Sequence, residues 1–146
     1  MSSLSETCAR EMLDAVPLIM RTIRKEMRSH RDSNLSIPQF RAMLFIHRNR
    51  GVSLSQVAEH LGLTPPTTSR LIEGLVTHQL ISRNVVKGNR RQVKLNLLPH
   101  GASMLKIAQA ETRKKLSTSI VHLSEQELIK ITEAMQTLKH VFSNIA

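Results

Sequence analysis

Ser53–Val76 reads SLSQVAEHLGLTPPTTSRLIEGLV, and this stretch decides the fold. Ser53 followed three residues later by Gln56 is a capping-box pattern, in which two side chains satisfy N–H groups that would otherwise open a helix unpaired. Leu54, Val57, Ala58 and Leu61 then recur at helical spacing and give that helix one apolar face. Gly62 ends it, because glycine enters the left-handed conformation beyond a helix without a Cβ penalty. Thr64 caps a second helix, with Pro65 at the first helical position, where its missing N–H costs nothing. Leu71, Ile72, Leu75 and Val76 turn one face of this helix inward, leaving Thr67, Ser69, Arg70 and Glu73 mostly outward. A short polar helix braced by an apolar partner is the device that enters a DNA major groove.

A ribbon follows directly. Ile81–Val85 and Val93–Leu97 mix apolar and polar residues with the period of a half-buried strand. Between them Lys87, Gly88, Asn89, Arg90 and Arg91 read as a tight turn, with Gly88 and Asn89 suited to positive φ. A solvated turn is the plain reading of such a segment. Two arginines beside a recognition helix favour phosphate or minor-groove contact, since narrow minor grooves attract inserted arginine.

The charge map agrees. The chain has 146 residues, 21 Lys+Arg, 11 Asp+Glu and a formal net charge of +10. Thirteen of the basic and three of the acidic residues fall between Arg41 and Lys115, so the whole imbalance lies around the reading head. Without Trp or Tyr, and with only Phe40, Phe45 and Phe142, the chain is poor in stacking platforms for single strands. Duplex DNA fits better.

Length and 40% apolar content match one domain with a real core. No run approaches the ~18 apolar residues of a membrane helix, and MSSLSETCARE lacks a secretory signal pattern. A single cysteine excludes an internal disulfide. A cytoplasmic protein with no membrane partner is expected.

Both ends read as long amphipathic helices. Val16, Met20, Ile23 and Met27 repeat at 4-3-4 spacing, with Pro17 expected to kink the helix or start its regular part. Gly101 to Leu123 reads as another helix, with Leu105, Ala108, Leu116, Ile120 and Leu123 roughly on one side. Ser124 with Glu127 forms a further capping box, after which Leu128, Ile131, Met135, Leu138, Phe142 and Ile145 make a coiled-coil seam. These helices could pack on each other within one chain. Two seam-like ends favour a second copy, and two-fold symmetry would supply the second recognition helix that DNA half-sites require.

In this order of elements the chain resembles the MarR family of winged-helix regulators over nearly its whole length. The most specific matches are TPPTTSRLIEGLV, LISR from Leu80 to Arg83, and NRRQVKLNLLPHG from Asn89 to Gly101. The resemblance implies a mainly α fold with a small β-ribbon: a winged helix–turn–helix core over 36–100, flanked by dimerisation helices at 1–35 and 101–146. It implies a homodimer held by Val16, Met20, Leu128, Ile131, Met135, Leu138 and Phe142. It implies a double-stranded DNA operator read by Thr64, Pro66, Thr67, Ser69 and Arg70, with Lys87 and Arg91 (or Arg90) at the wing. A small anionic or phenolic effector, and repression released by it, are further implications.

Three positions depart from the family pattern. Asn89 stands where an acid usually orients the wing arginine. Gln79 replaces the usual glycine after the recognition helix, which puts that cap in question. Leu98 replaces the usual threonine cap, so a ragged start is expected for the next helix.

Other chemistry is sparse. Cys8 invites a peroxide-sensing role, yet no tyrosine is present to activate it, and an ordinary helix residue is the reading kept. The seven histidines show no HxxxH or Cys/His clustering, so neither metal nor cofactor is expected. Met12, Met20, Met27, Met43 and Met104 could line an adaptable pocket, with ordinary core as their plainer role. No nucleophile–base pair, glycine-rich phosphate loop or carboxylate pair points to an enzyme. The alternative function is a winged-helix architectural or protein-interaction module with only non-specific DNA binding.

Overall fold

The computed structural model describes residues 2–143, apart from the side chains of 89–91. The order of elements is α1 (Leu4–Ser29), α2 (Ile37–Arg48), α3 (Leu54–Leu61), α4 (Pro65–Thr77), β1 (Ile81–Val86), β2 (Asn89–Leu97), α5 (Pro99–Ile120) and α6 (Glu125–Ser143). Mainly helical structure with a two-stranded antiparallel ribbon is the expected fold class. The chain forms two compact units, one up to Thr112 and one from Arg113 onward.

The core of the first unit is built where the helical periodicities converge. Phe40, Met43 and Ile46 of α2, Val57 and Leu61 of α3, and Ile72 and Leu75 of α4 are buried together. Leu80, Ile81 and Leu95 carry that core into the base of the ribbon, and Leu105 and Ala108 close it from α5. Each large side chain removed from water here stabilises the fold by about 1.5–3 kcal/mol. The sole buried polar side chains among the described residues are Thr68 and Thr112, and each donates its hydroxyl to the carbonyl four residues earlier, at 2.9 and 2.8 Å.

The helix starts follow their capping chemistry. Ser3 with Glu6, Ser36 with Gln39 and Ser53 with Gln56 each form a complete capping box. In the second unit Ser124 Oγ accepts from Glu127 N–H at 3.1 Å, and the Glu127 carboxylate accepts from Ser124 N–H at the same distance.

Three expectations change. α1 is a single element from Leu4 with Pro17 inside it, so the regular helix starts well before the proline; the Ser3 capping box nucleates it. α5 starts at Pro99 with the Leu98 carbonyl accepting from Ala102 N–H at 3.0 Å, an orderly start despite the absent hydroxyl cap. Proline at the first position has its φ pre-set and needs no capping partner for an N–H. The third concerns the ribbon tip and belongs with the site below.

α6 buries no residue in the single chain. Ile131, Met135 and Phe142 are 42%, 44% and 52% exposed, and Leu128 and Leu138 are half-buried. Ile145 lies outside the described residues. Along α1, Val16 is 40% exposed and Met20 is half-buried, whereas Met27 at the other end of the same stripe is buried in the core of the first unit. No described helix is long and apolar enough to cross a membrane.

Candidate nucleic-acid interface

α3 and α4 are joined by a turn whose geometry is dictated by Gly62. Its φ of 69° is left-handed, its N–H reaches Glu59 O at 3.2 Å, and Leu63 N–H reaches Ala58 O at 3.1 Å. Thr64 then caps α4, accepting from Thr67 N–H at 3.4 Å while its hydroxyl donates to Thr67 Oγ1 at 2.9 Å. Pro65 and Pro66 supply no N–H. With these two donors absent and the third capped, α4 presents few backbone donors to an anion at its start. Its recognition chemistry therefore resides in side chains.

Those side chains divide cleanly. Ile72, Leu75 and Thr68 are buried, while Pro66, Thr67, Arg70, Glu73 and Thr77 differ in facing water or lying near it: Pro66, Thr67 and Arg70 are exposed. Ser69 is half-buried, between the two faces. Thr64 is exposed at the head of the helix. Arg70 has no hydrogen bond or ion pair among the described residues, leaving its five donors free. No large apolar side chain of α4 is exposed.

The ribbon is longer and its tip shorter than the sequence indicated. β1 and β2 pair from Ile81↔Leu97 to Val85↔Val93, then shift register to Val86↔Asn89. Only Lys87 and Gly88 form the tip, Gly88 taking φ +88°. Asn89, Arg90 and Arg91 belong to β2 rather than to the turn, because glycine at a two-residue connection lets pairing resume at once. The side chains of Asn89, Arg90 and Arg91 lie outside the described residues, whereas Lys87 is exposed at the tip. Val85 is 59% exposed, since the ribbon extends beyond the core and its alternation no longer tracks burial.

The ribbon base is tied to the helical body. Gly51 N–H donates to Leu95 O at 3.0 Å and to Asn96 Oδ1 at 2.9 Å, and Leu95 N–H donates to Val52 O at 2.9 Å. Arg50, Arg83 and Lys94 are exposed around this anchored strand. These three cations are absent from the DNA contacts expected from sequence; their only signal there is charge at positions flanking buried Val52, Ile81 and Leu95.

A model of the MarR family matches residues 33–92, which takes in α2, α3, α4 and β1 and ends inside β2. The chain belongs to the MarR family. Its relatives include the uncharacterized HTH-type transcriptional regulator YfiV of Bacillus subtilis, 22% identical over 111 residues that cover 76% of this chain and 69% of the relative. Among solved structures, the transcriptional regulator Tm0710 from Thermotoga maritima superposes with a TM-score of 0.78 at 18% identity, covering 92% of this chain and 96% of the other. FabT of Streptococcus pneumoniae, solved in complex with DNA, has a TM-score of 0.59 at 19% identity, covering 97% and 99%. At these identities the structures show the MarR fold.

The MarR unit also encloses a cavity of about 510 Å³ between α1, α2 and the end of α3. Arg24 and Arg28 of α1 and Arg41 and Arg48 of α2 line it, with no acidic side chain among the lining residues. Phe45 forms part of its apolar wall and stacks on His60, ring centroids 4.2 Å apart and planes within 9°. Of the methionines considered for a pocket, Met20 and Met27 line this cavity, while Met43 is wholly buried core. Cys8 is an exposed free thiol on α1.

Proposed function

We propose that this chain is a transcriptional regulator that binds a double-stranded DNA operator as a homodimer and is controlled by a small anionic effector. One observation carries the DNA reading: the outward face of α4 offers Thr67 and an unpaired Arg70, with no exposed large apolar side chain, beside a basic ribbon. A protein-binding winged helix would offer apolar residues there instead. Thr64, Pro66, Thr67, Ser69 and Arg70 are the proposed reading residues, and Lys87, Arg90 and Arg91 the proposed wing contacts. FabT, a fold relative, was solved with DNA.

The homodimer is supported by α6, whose 3-4 stripe of Leu128, Ile131, Met135, Leu138 and Phe142 has no buried member. Val16 and Met20 extend the proposed interface to α1. The effector reading is supported by the arginine-lined cavity, which suits an anion on an apolar or aromatic body. Regulators of this family act by binding rather than by catalysis, and a cytoplasmic site of action follows from the DNA reading.

The test is competition in a gel shift between DNA flanking the gene for this chain and random duplex. Preference for the flanking DNA is expected. Arg70→Ala should cost about 1–3 kcal/mol on that site and relax discrimination at one position per half-site. Equal binding to both DNAs by the parent chain would instead support the architectural module.

A further inference from the structure

We propose that α1 pairs antiparallel with α1 of a second copy, the acidic first half of each helix lying along the basic second half of the other. This rests on the dimer reading above and deepens it. The charge order of α1 is bipolar. Residues 4–20 carry Glu6, Glu11 and Asp14 against Arg10, whereas residues 21–29 carry Arg21, Arg24, Lys25 and Arg28 against Glu26. Glu26 is engaged locally, 3.4 Å from His30 Nε2. A parallel pair would set like charge on like. A two-fold antiparallel pair sets each half on its complement, twice per dimer.

The apolar pattern fixes the register. Leu13, Val16, Met20 and Ile23 follow one another at 3-4-3 spacing, the seam rhythm of paired helices. Leu13 is 75% and Val16 40% exposed, and Met20 and Ile23 are half-buried, so each retains surface to cover. Setting Val16 against Met20 of the second copy sets Leu13 against Ile23. The same register brings Glu11 opposite Lys25 and Asp14 beside Arg21, and all four of these charges are exposed. Met20 and Ile23 also line the cavity between α1 and α2. Leu13 of the second copy thereby becomes an additional wall, and the cavity is complete only in the dimer.

The test is charge reversal read by sedimentation equilibrium. Glu11→Lys with Asp14→Lys, and separately Arg21→Glu with Lys25→Glu, should each weaken the dimer about tenfold at low salt, since four exposed pairs turn from attraction to repulsion. The four changes together should restore the parent value to within about threefold, and the effect of either pair should fade at ~1 M salt, where charges are screened within about 3 Å. All four positions are exposed, so folding is preserved and circular dichroism checks it. A dimer that is broken by Leu138→Asp yet indifferent to both charge reversals overturns this pairing while leaving the dimer reading intact. A parent chain that is monomeric at tens of micromolar overturns both.

Discussion

Gly101 and Leu80 approach so closely that a Cβ on Gly101 would overlap the Leu80 carbonyl oxygen. That carbonyl already accepts Leu98 N–H at 3.0 Å, so it cannot move aside without losing a hydrogen bond. The close approach joins the end of the recognition helix to the start of α5, both in the first unit. Gly101→Ala should therefore destabilise the protein by about 1–3 kcal/mol, the usual cost of forcing extra volume into a packed site. Gly74→Ala is the control: the added methyl would meet only the flexible Gln39 side-chain nitrogen at 3.2 Å. There the better helix propensity of alanine, up to about 1 kcal/mol, offsets the crowding. Urea unfolding of the two variants should separate them clearly; equal midpoints would show that the Leu80 carbonyl yields.

Gln79 occupies a backbone position that glycine fills elsewhere in this same fold. Its φ is +59°, and it follows the last turn of α4 with Gln79 N–H on Val76 O at 2.9 Å and Leu80 N–H on Leu75 O at 3.0 Å. Gly62 closes α3 with the same pair of bonds at φ 69°. The substitution of the family's glycine thus leaves the cap formed but strained, by roughly 1–2 kcal/mol for a residue with a Cβ. Gln79→Gly should raise stability by about 0.5–1 kcal/mol after the extra backbone entropy of glycine is deducted. The urea midpoint should rise with an unchanged slope; an unchanged or lower midpoint would mean that Gln79 sits there without strain.

The parts of the fold that are legible in the sequence are those set by local chemistry. Ser53 with Gln56, Gly62, Thr64 and Pro65 mark the helix–turn–helix because capping and left-handed φ need only near neighbours. The outward placement of Arg70 follows from helical period alone. What stays illegible depends on long-range geometry. The approach of Gly101 to Leu80 and the tether from Gly51 to Leu95 and Asn96 have no local signature. Neither does the cavity, whose arginines come from two helices. The wing tip reads as too long because Asn89 is a turn former, while pairing resumes directly after Gly88. Pro17 reads as a helix breaker, yet the Ser3 capping box starts α1 well upstream and the helix runs through it.

The exposed stripe of α6 makes its own demand. Leu138 is half-buried in the single chain and lies between Met135 and Phe142, both exposed. Leu138→Asp would bury a charge in an apolar interface if that stripe is shared, a penalty of several kcal/mol. The parent chain is expected to sediment as a dimer and the variant as a monomer or an aggregate. A variant that remains a dimer of unchanged affinity would remove Leu138 from the interface.

The wing offers the most detailed test of how DNA is held. Lys87 is exposed at a two-residue tip with no core beneath it, and Arg90 and Arg91 follow in β2. If these cations meet phosphate and the minor groove, Arg90→Ala with Arg91→Ala should weaken binding without unfolding the protein. Removing one cation from a phosphate should also flatten the dependence of log K on log salt by about 0.9, so the double change alters the slope by at most about 1.8. A minor-groove arginine would alter it less, because its attraction comes from the focused groove potential rather than from one displaced counterion. Asn89→Asp refines the point. An acid there could orient Arg91 by an ion pair, yet it adds negative charge near phosphate. Affinity that holds or rises despite the extra charge would mean that orientation dominates. Affinity that falls in proportion to charge alone would deny residue 89 a positioning role. A double variant with the parent's affinity and salt slope would take Arg90 and Arg91 out of the DNA interface and leave recognition to α4.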